Sequence, residues 1–317
     1  MPVTLLDGPL VEAVLDETYP IWGQGLAREA YSRWNRAQAQ TVWGRTHFRR
    51  VGFVKDGAVL ASAKTYALSC RIGITPASLV GIGALFVSPA VRGRGYGRAL
   101  VEEISDDAAR RGCAGVLLFS EIGPDFYARA GFVVVPREIT TLTISTRAGA
   151  PAALVRTGES TDLAEISDIC SAGARDAAFA LDRSKDFLGF MLARRRLLAG
   201  LGPPGLRSIE FHVTEEAYRA VAYVVLMHGV DGTRLLDCGD RDPSGARIGA
   251  MLVGLAARDP SRRLSSVTGW VPANLHPPQL EIGARSPSHD LMMIRWLNGT
   301  KPLAPDAVIC YPELDHF

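Results

Sequence analysis

The apolar positions of the chain group into short runs punctuated by glycine, proline and charge. Three runs read as strands: Phe48–Lys55, Ala58–Ser69 and Ala77–Ser88. Asp56-Gly57 lies between the first two, a dipeptide suited to a tight hairpin. Ahead of them, Val3–Leu6 reads as a strand and Ala27–Ala39, free of proline and glycine, as a helix. Tyr19–Gly25 between those two reads as an aromatic loop. After the third strand a glycine-rich turn leads into a helix from about Gly97 to Arg111, with Gly112 as its C-terminal stop. Gly115–Phe119 is apolar without alternation, the mark of a strand buried on both faces. A short helix at Asp125–Ala130 and strands at Phe132–Val135 and Thr140–Ser145 follow.

Residues 147–153 read as a linker. Beyond it come a strand at Leu154–Arg156, a helix start capped by Ser160, and a helix over about Ser184–Ala199. Strands at Ser208–Val213, Ala220–His228 and Thr233–Cys238 then precede a helix at Gly245–Ala257. This order repeats that of the first half at a spacing of roughly 150 residues, which predicts a divergent tandem repeat.

Composition narrows the class. A chain of 317 residues with 47% hydrophobic residues can form two cores. The net charge of +2, from 35 basic and 33 acidic residues, argues against a dedicated nucleic-acid binder. The N-terminus lacks the basic start and apolar core of a secretion signal, and no apolar run approaches a membrane span. Five scattered cysteines without a CxxC pair predict neither a disulfide framework nor a zinc site. No two of the six histidines stand at metal-ligand spacing, so no metal is expected. A soluble, reduced, cytoplasmic protein is the expectation.

The chemistry concentrates in Val87–Leu100, where a strand runs into glycines at alternate positions (Gly93, Gly95, Gly97) and a helix begins. Glycines let backbone amides approach a ligand, and amides at a helix mouth favour an anion such as a pyrophosphate. Arg92 and Arg94 would add charge at the rim. The pattern Val-x-Pro-x-x-Arg-Gly-x-Gly-x-Gly-x-x-Leu resembles motif A of the GNAT superfamily of N-acetyltransferases. Asp125–Phe132, ending in Tyr127-Ala-Arg-Ala-Gly-Phe, resembles that family's second hallmark, and the resemblance covers about residues 1–146.

It implies an α/β protein of GNAT fold, a mixed, mostly antiparallel sheet flanked by helices. The implied domains are an acyl-CoA-binding GNAT domain at 1–146 and, after the linker, a degenerate GNAT-like domain at 154–317 that completes the acceptor pocket. The co-substrate would be acetyl-CoA or another acyl-CoA. By the same resemblance the backbone of Arg92, Gly93, Arg94, Gly95, Tyr96 and Gly97 would hold the pyrophosphate. Leu85, Phe86 and Val87 would bind the pantetheine arm as an added strand, and Tyr127 would protonate the departing thiolate.

The strand before the glycine loop carries no carboxylate, so the family's usual glutamate base is missing. Three replacements stand open: Glu121 through water, a water chain alone, or the C-terminal carboxylate of Phe317. The last resembles the enhanced-intracellular-survival type of tandem acetyltransferases. Trp22 and Tyr66 are candidate acceptor-binding residues; their region carries a weaker resemblance to fungal lysine N6-acetyltransferases. In the second half, Gly239–Gly245 stands in place of the glycine loop, and its aspartates would repel a pyrophosphate.

The expected function is acyl-CoA-dependent N-acylation of a small, amino acid-like amine. The alternatives are an acceptor borne on a carrier protein or tRNA, or a CoA-binding sensor without turnover.

Overall fold

The structure is a computed structural model describing residues 1–144, 153–258, 264–272 and 274–317. In chain order it begins with β1 (Thr4–Leu5), α1 (Gly8–Trp22), α2 (Arg28–Gln40), α3 (Val42–His47), β2 (Phe48–Lys55), β3 (Ala58–Ile72) and β4 (Thr75–Val87). Next come α4 (Tyr96–Arg110), β5 (Gly115–Ser120), α5 (Asp125–Ala128), β6 (Val133–Val134) and β7 (Glu138–Ile144). The second half holds β8 (Val155–Thr157), α6 (Leu163–Gly173), β9 (Phe179–Leu181), α7 (Lys185–Leu201), β10 (Arg207–Glu216), β11 (Arg219–Gly229), β12 (Gly232–Asp240) and α8 (Ala246–Arg258). It closes with β13 (Ser266–Gly269), β14 (Leu280–Ile282), β15 (Ser286–Pro287), β16 (Leu291–Trp296) and β17 (Ile309–Cys310).

These elements form two compact units. Unit 1 comprises Met1–Arg137, His289–Ala307 and Phe317; unit 2 comprises Glu138–Ser288 and Val308–His316. In unit 1 the strand order is β1-β2-β3-β4-β5-β16-β6. All neighbours pair antiparallel except β4 and β5, which are parallel and joined through α4. Unit 2 repeats the scheme: β10, β11 and β12 are antiparallel, α8 follows, and β13 pairs parallel with β12. The strand beside β13 is β7 and the strand beside β5 is β16, both antiparallel. Each half of the sequence thus supplies that strand to the sheet built mainly from the other half.

Alternation sorts the unit 1 sheet into two faces. Ala61, Ala63, Val80, Ile82, Val116 and Leu118 point into one core with Leu100, Val101 and Ile104 of α4. The intervening Lys64 of β3 faces the Trp34 ring of α2 at 5.0 Å. Unit 2 has its own core of β11, β12 and α8 residues, including Val224, Leu226, Ile248 and Met251. Its buried ionic centre is Arg183, which donates to Asp237 at 2.5 Å and to Asp315 at 3.1 Å.

Two local expectations are corrected. Tyr19–Trp22 belongs to α1 rather than to a loop: Pro20 lies near the helix end, and the Gly23 N–H donates to Tyr19 O at 2.9 Å to close the last turn. Ser160 is not the cap of its helix start. Glu159 occupies that position, in a reciprocal capping box with Asp162. The expected linker falls, apart from Ala153, outside the described residues.

Candidate functional site

The parallel pairing of β4 with β5 runs from Leu79–Gly115 to Ile82–Leu118 and stops there. The cause is a bulge on the other side of β4. Lys64 opposes Gly83 and Ser62 opposes Phe86, so Ala84 and Leu85 share one residue of β3. Ala84 adopts φ +48°, an uncommon conformation for a residue with a side chain. Past the bulge the β4–β5 ladder has ended, and this break in pairing, a wedge beside the bulge, is bordered by Leu85, Phe86 and Val87. Backbone freed from a parallel partner in this way can receive an extended ligand as an added strand.

The wedge leads to the glycine loop. Gly93 and Gly95 have φ of +78° and +81°, and a Cβ on either would meet no heavy atom within 4 Å. The ground over both is therefore open. Gly95 is the N-cap of α4 and supplies no side chain to its amides. Arg92, Gly93, Arg94 and Gly95 are exposed. An uncapped, glycine-lined helix mouth with two arginines beside it has the donors and the charge to hold a pyrophosphate. Not every residue of the motif faces outward. Tyr96 packs on Phe53 at 6.5 Å between centroids, and Arg92 donates to Val87 O at 3.2 Å while its guanidinium lies 5.9 Å from the Phe86 ring. A Cβ on Gly97 would stand 3.0 Å from Val87 Cγ2, so this glycine brings α4 against the end of β4.

Tyr127, on α5, belongs to the α4-side core, with ring contacts to Phe126 at 4.9 Å and Phe132 at 5.9 Å. Burial, aided by the charge of Glu121, pushes its phenol up to about 12. Glu121 itself is exposed, just after β5.

Phe317 packs on the opposite face of the sheet. Its ring lies 4.5 Å from that of Tyr66 and 5.8 Å from that of Phe119. Its carbonyl carbon and oxygen come within 3.5 and 3.4 Å of where Gly83 would carry a Cβ. Trp22 touches the Phe86 ring edge-on at 6.3 Å, while Tyr66 is fully buried. Tyr127 with Glu121 therefore flanks the bulged end of β4 from one face, and Phe317 with Tyr66 from the other.

Two contributors went unread in the sequence, Gly81 and Gly83. Their signal was present in Val80-Gly81-Ile82-Gly83, glycine at every second place along a strand, which marks one face cleared for close approach.

Unit 2 treats the corresponding β12–α8 loop differently. Asp240 accepts from the amides of Asp242 at 2.9 Å and Arg247 at 3.0 Å, and Asp242 accepts from the Ser244 amide at 2.9 Å. The loop's own carboxylates occupy these donors. Among the described residues, no group of three or more histidine, cysteine, aspartate or glutamate side chains is arranged to hold a metal ion. Nor is any helix among them long and apolar enough to cross a membrane.

Residues 49–134 match the family model of the acetyltransferase (GNAT) domain. No curated protein sequence matches the chain. Among solved structures, a probable N-acyltransferase from Enterococcus faecalis aligns with a TM-score of 0.67 at 16% identity, over 93% of this chain and 72% of that one. A GCN5-related N-acetyltransferase from Kribbella flavida gives 0.63 at 17% identity, over 93% and 71%. Eis1 from Mycobacterium abscessus gives 0.57 at 16%, over 93% and 74%. At such identities the likeness is one of fold, and it spans nearly the whole chain. Residues 49–134 thus match a GNAT acetyltransferase domain, and the solved structures share the fold of the chain. GNAT domains take acetyl-CoA or another acyl-CoA as donor. The weaker resemblance to fungal lysine N6-acetyltransferases has no counterpart among the structures named here.

Proposed function

We propose that unit 1 transfers an acyl group from acyl-CoA to the amine of a small, amino acid-like molecule. One observation carries this reading: the wedge at the β4 bulge runs into an open, uncapped helix mouth, while Tyr127 and Phe317 approach it from opposite faces. The donor supplies an activated thioester, and the protein's part is to hold it and manage protons. Amides from Arg92 to Gly97 bind the pyrophosphate, and the freed backbone of Leu85–Val87 aligns the pantetheine arm. Trp22 belongs to the face that the acceptor meets, and the buried Tyr66 backs the Phe317 ring on that face.

The amine nitrogen forms a C–N bond with the thioester carbonyl carbon as the C–S bond breaks and its electron pair leaves on sulfur. One amine proton passes to a base and the sulfur takes one from the acid, so no net proton is consumed. Tyr127 is the acid. A phenol near 12 lies about 3.5 pKa units above an ordinary thiol, so complete transfer from it costs roughly 5 kcal/mol in solution terms. The hydrogen bond it gives the departing sulfur offsets part of that cost, and solvent then returns a proton to the phenol.

The α-carboxylate of Phe317 is the base in this reading. Its carbonyl group stands beside Gly83 on the face opposite Tyr127, whereas Glu121 acts on Tyr127 itself. Two variants separate the candidates. Extending the chain past Phe317 by a few residues should abolish turnover, and Glu121→Gln should leave most of it; the reverse pattern would move the base to Glu121.

Unit 2 keeps the fold but satisfies its loop amides internally, which supports a structural role without a second donor site. Thiol release from acetyl-CoA over a panel of amino acids, polyamines and an aminoglycoside tests the whole proposal. Turnover with one of them supports it. Donor binding without turnover across the panel would shift the reading to a macromolecule-borne acceptor or a non-catalytic sensor.

A further inference from the structure

We propose that Gly81 is a positioning residue: the space left by its missing side chain is a socket for the Phe317 ring, and that socket sets where the Phe317 carboxylate stands. The inference rests on the reading of Phe317 as the proton acceptor and names what holds it in place. A Cβ on Gly81 would lie 2.5 Å from Phe317 Cζ and within 3.1 Å of both Cε atoms. No side chain other than glycine's fits there while the ring keeps its place. Tyr66 and Phe119 form the rest of the socket, one ring tilted by 34° at 4.5 Å and the other edge-on at 5.8 Å. Such ring pairs fix orientation as well as depth. Gly83, two residues on, has the Phe317 carbonyl group beside its own vacant Cβ position. The first glycine admits the ring and the second admits the carboxyl end. Both precede the bulge at Ala84, so a single strand segment carries the socket and opens the donor wedge.

The chemical consequence is limited to one proton. As the C–N bond forms, an amine N–H proton passes to a Phe317 carboxylate oxygen; the C–S electron pair leaves on sulfur, which is protonated from Tyr127. The base then releases its proton to solvent and Tyr127 recovers one. A carboxylate displaced by about 1 Å from the amine loses roughly 10²-fold in such a step.

The test uses the full chain with four changes: Gly81→Ala, Phe317→Leu, the two combined, and a short extension after Phe317. Gly81→Ala should lower kcat about 10²-fold while the acetyl-CoA Kd stays within twofold. It should also displace the acid limb of the pH–rate profile. Phe317→Leu shortens the side chain that collides with the new methyl, so the double variant should recover a good part of the rate lost in Gly81→Ala. A merely structural role for Gly81 would move stability without that kinetic split or that rescue.

If the extension abolishes turnover but Gly81→Ala is as active as the parent, the base reading stands and the socket is wrong. If the extension leaves turnover unchanged, the base reading falls, and the socket falls with it. Should Gly81→Ala fail to fold, Phe317→Ala decides alone. It keeps the carboxylate and removes the ring, so wild-type turnover in that variant overturns the proposal.

Discussion

Tyr127 and the loop glycines are the residues whose chemistry can be isolated one at a time. Replacing Tyr127 by Phe keeps the core-filling ring and removes the hydroxyl proposed to donate to the leaving sulfur. The expected loss is about 10²-fold in kcat with acetyl-CoA affinity unchanged, read from steady-state kinetics and calorimetry on one preparation. Its pH dependence has a definite sign. Burial and Glu121 raise the phenol, so the protonated form is complete at neutral pH and is lost only as pH approaches about 12. A rate profile from pH 6 to 10.5 should show no descending limb assignable to an acid, and a fall centred near pH 9 would contradict the assignment. Gly95→Ala places a methyl at φ +81°, where a left-handed residue costs about 1–2 kcal/mol. If the loop relaxes to avoid that strain, acetyl-CoA affinity should weaken by about 5–30-fold.

At the scale of elements, β4 is the organising strand. Leu79–Ile82 pairs on both sides, the residues beyond it on one, and the bulge at Ala84 follows directly. The strand and the following helix were legible in the sequence, because a run of apolar residues ended at a glycine loop of recognisable spacing. The bulge was not, since nothing in the residue order of Leu-Phe-Val-Ser-Pro distinguishes a strand that has lost its partner. Tyr19–Trp22 was misread for a local reason: proline and aromatics suggest a loop, yet proline fits a last helical turn when the following chain closes it. The closing strands β13–β17 were also missed, being two to six residues long and set among prolines and glycines.

Unit 2 offers its own test at this scale. Arg183 is held between Asp237 and Asp315, all nearly inaccessible. Arg183→Met removes the cation between two buried carboxylates and should destabilise unit 2 by about 3–5 kcal/mol in urea unfolding. A loss below about 1 kcal/mol would mean that the carboxylates find other partners.

Over the whole molecule, sequence order and structural units diverge. A tandem repeat was visible because strand–strand–strand–helix–strand recurs. That β16 belongs to the sheet of β5, and β7 to that of β13, was not visible, because strand partners far apart in sequence leave no local trace. A fragment ending at Thr146 would contain the GNAT signature yet lack β16, whose Met292, Met293 and Ile294 are buried. Such a fragment should show no cooperative thermal transition, and one that unfolds cooperatively would show that β16 is dispensable to unit 1.

The proposed function gives the chain one donor site, in unit 1. No capping side chain meets the amides at Gly95 in unit 1, whereas Asp240 and Asp242 accept from their loop amides in unit 2. Calorimetric titration of the full chain with acetyl-CoA addresses this most directly, run beside a variant carrying Gly93→Val and Gly95→Val. The account predicts one site per chain in the parent and none in the variant. Absence of binding in the parent, or binding that survives both glycine substitutions, would contradict it.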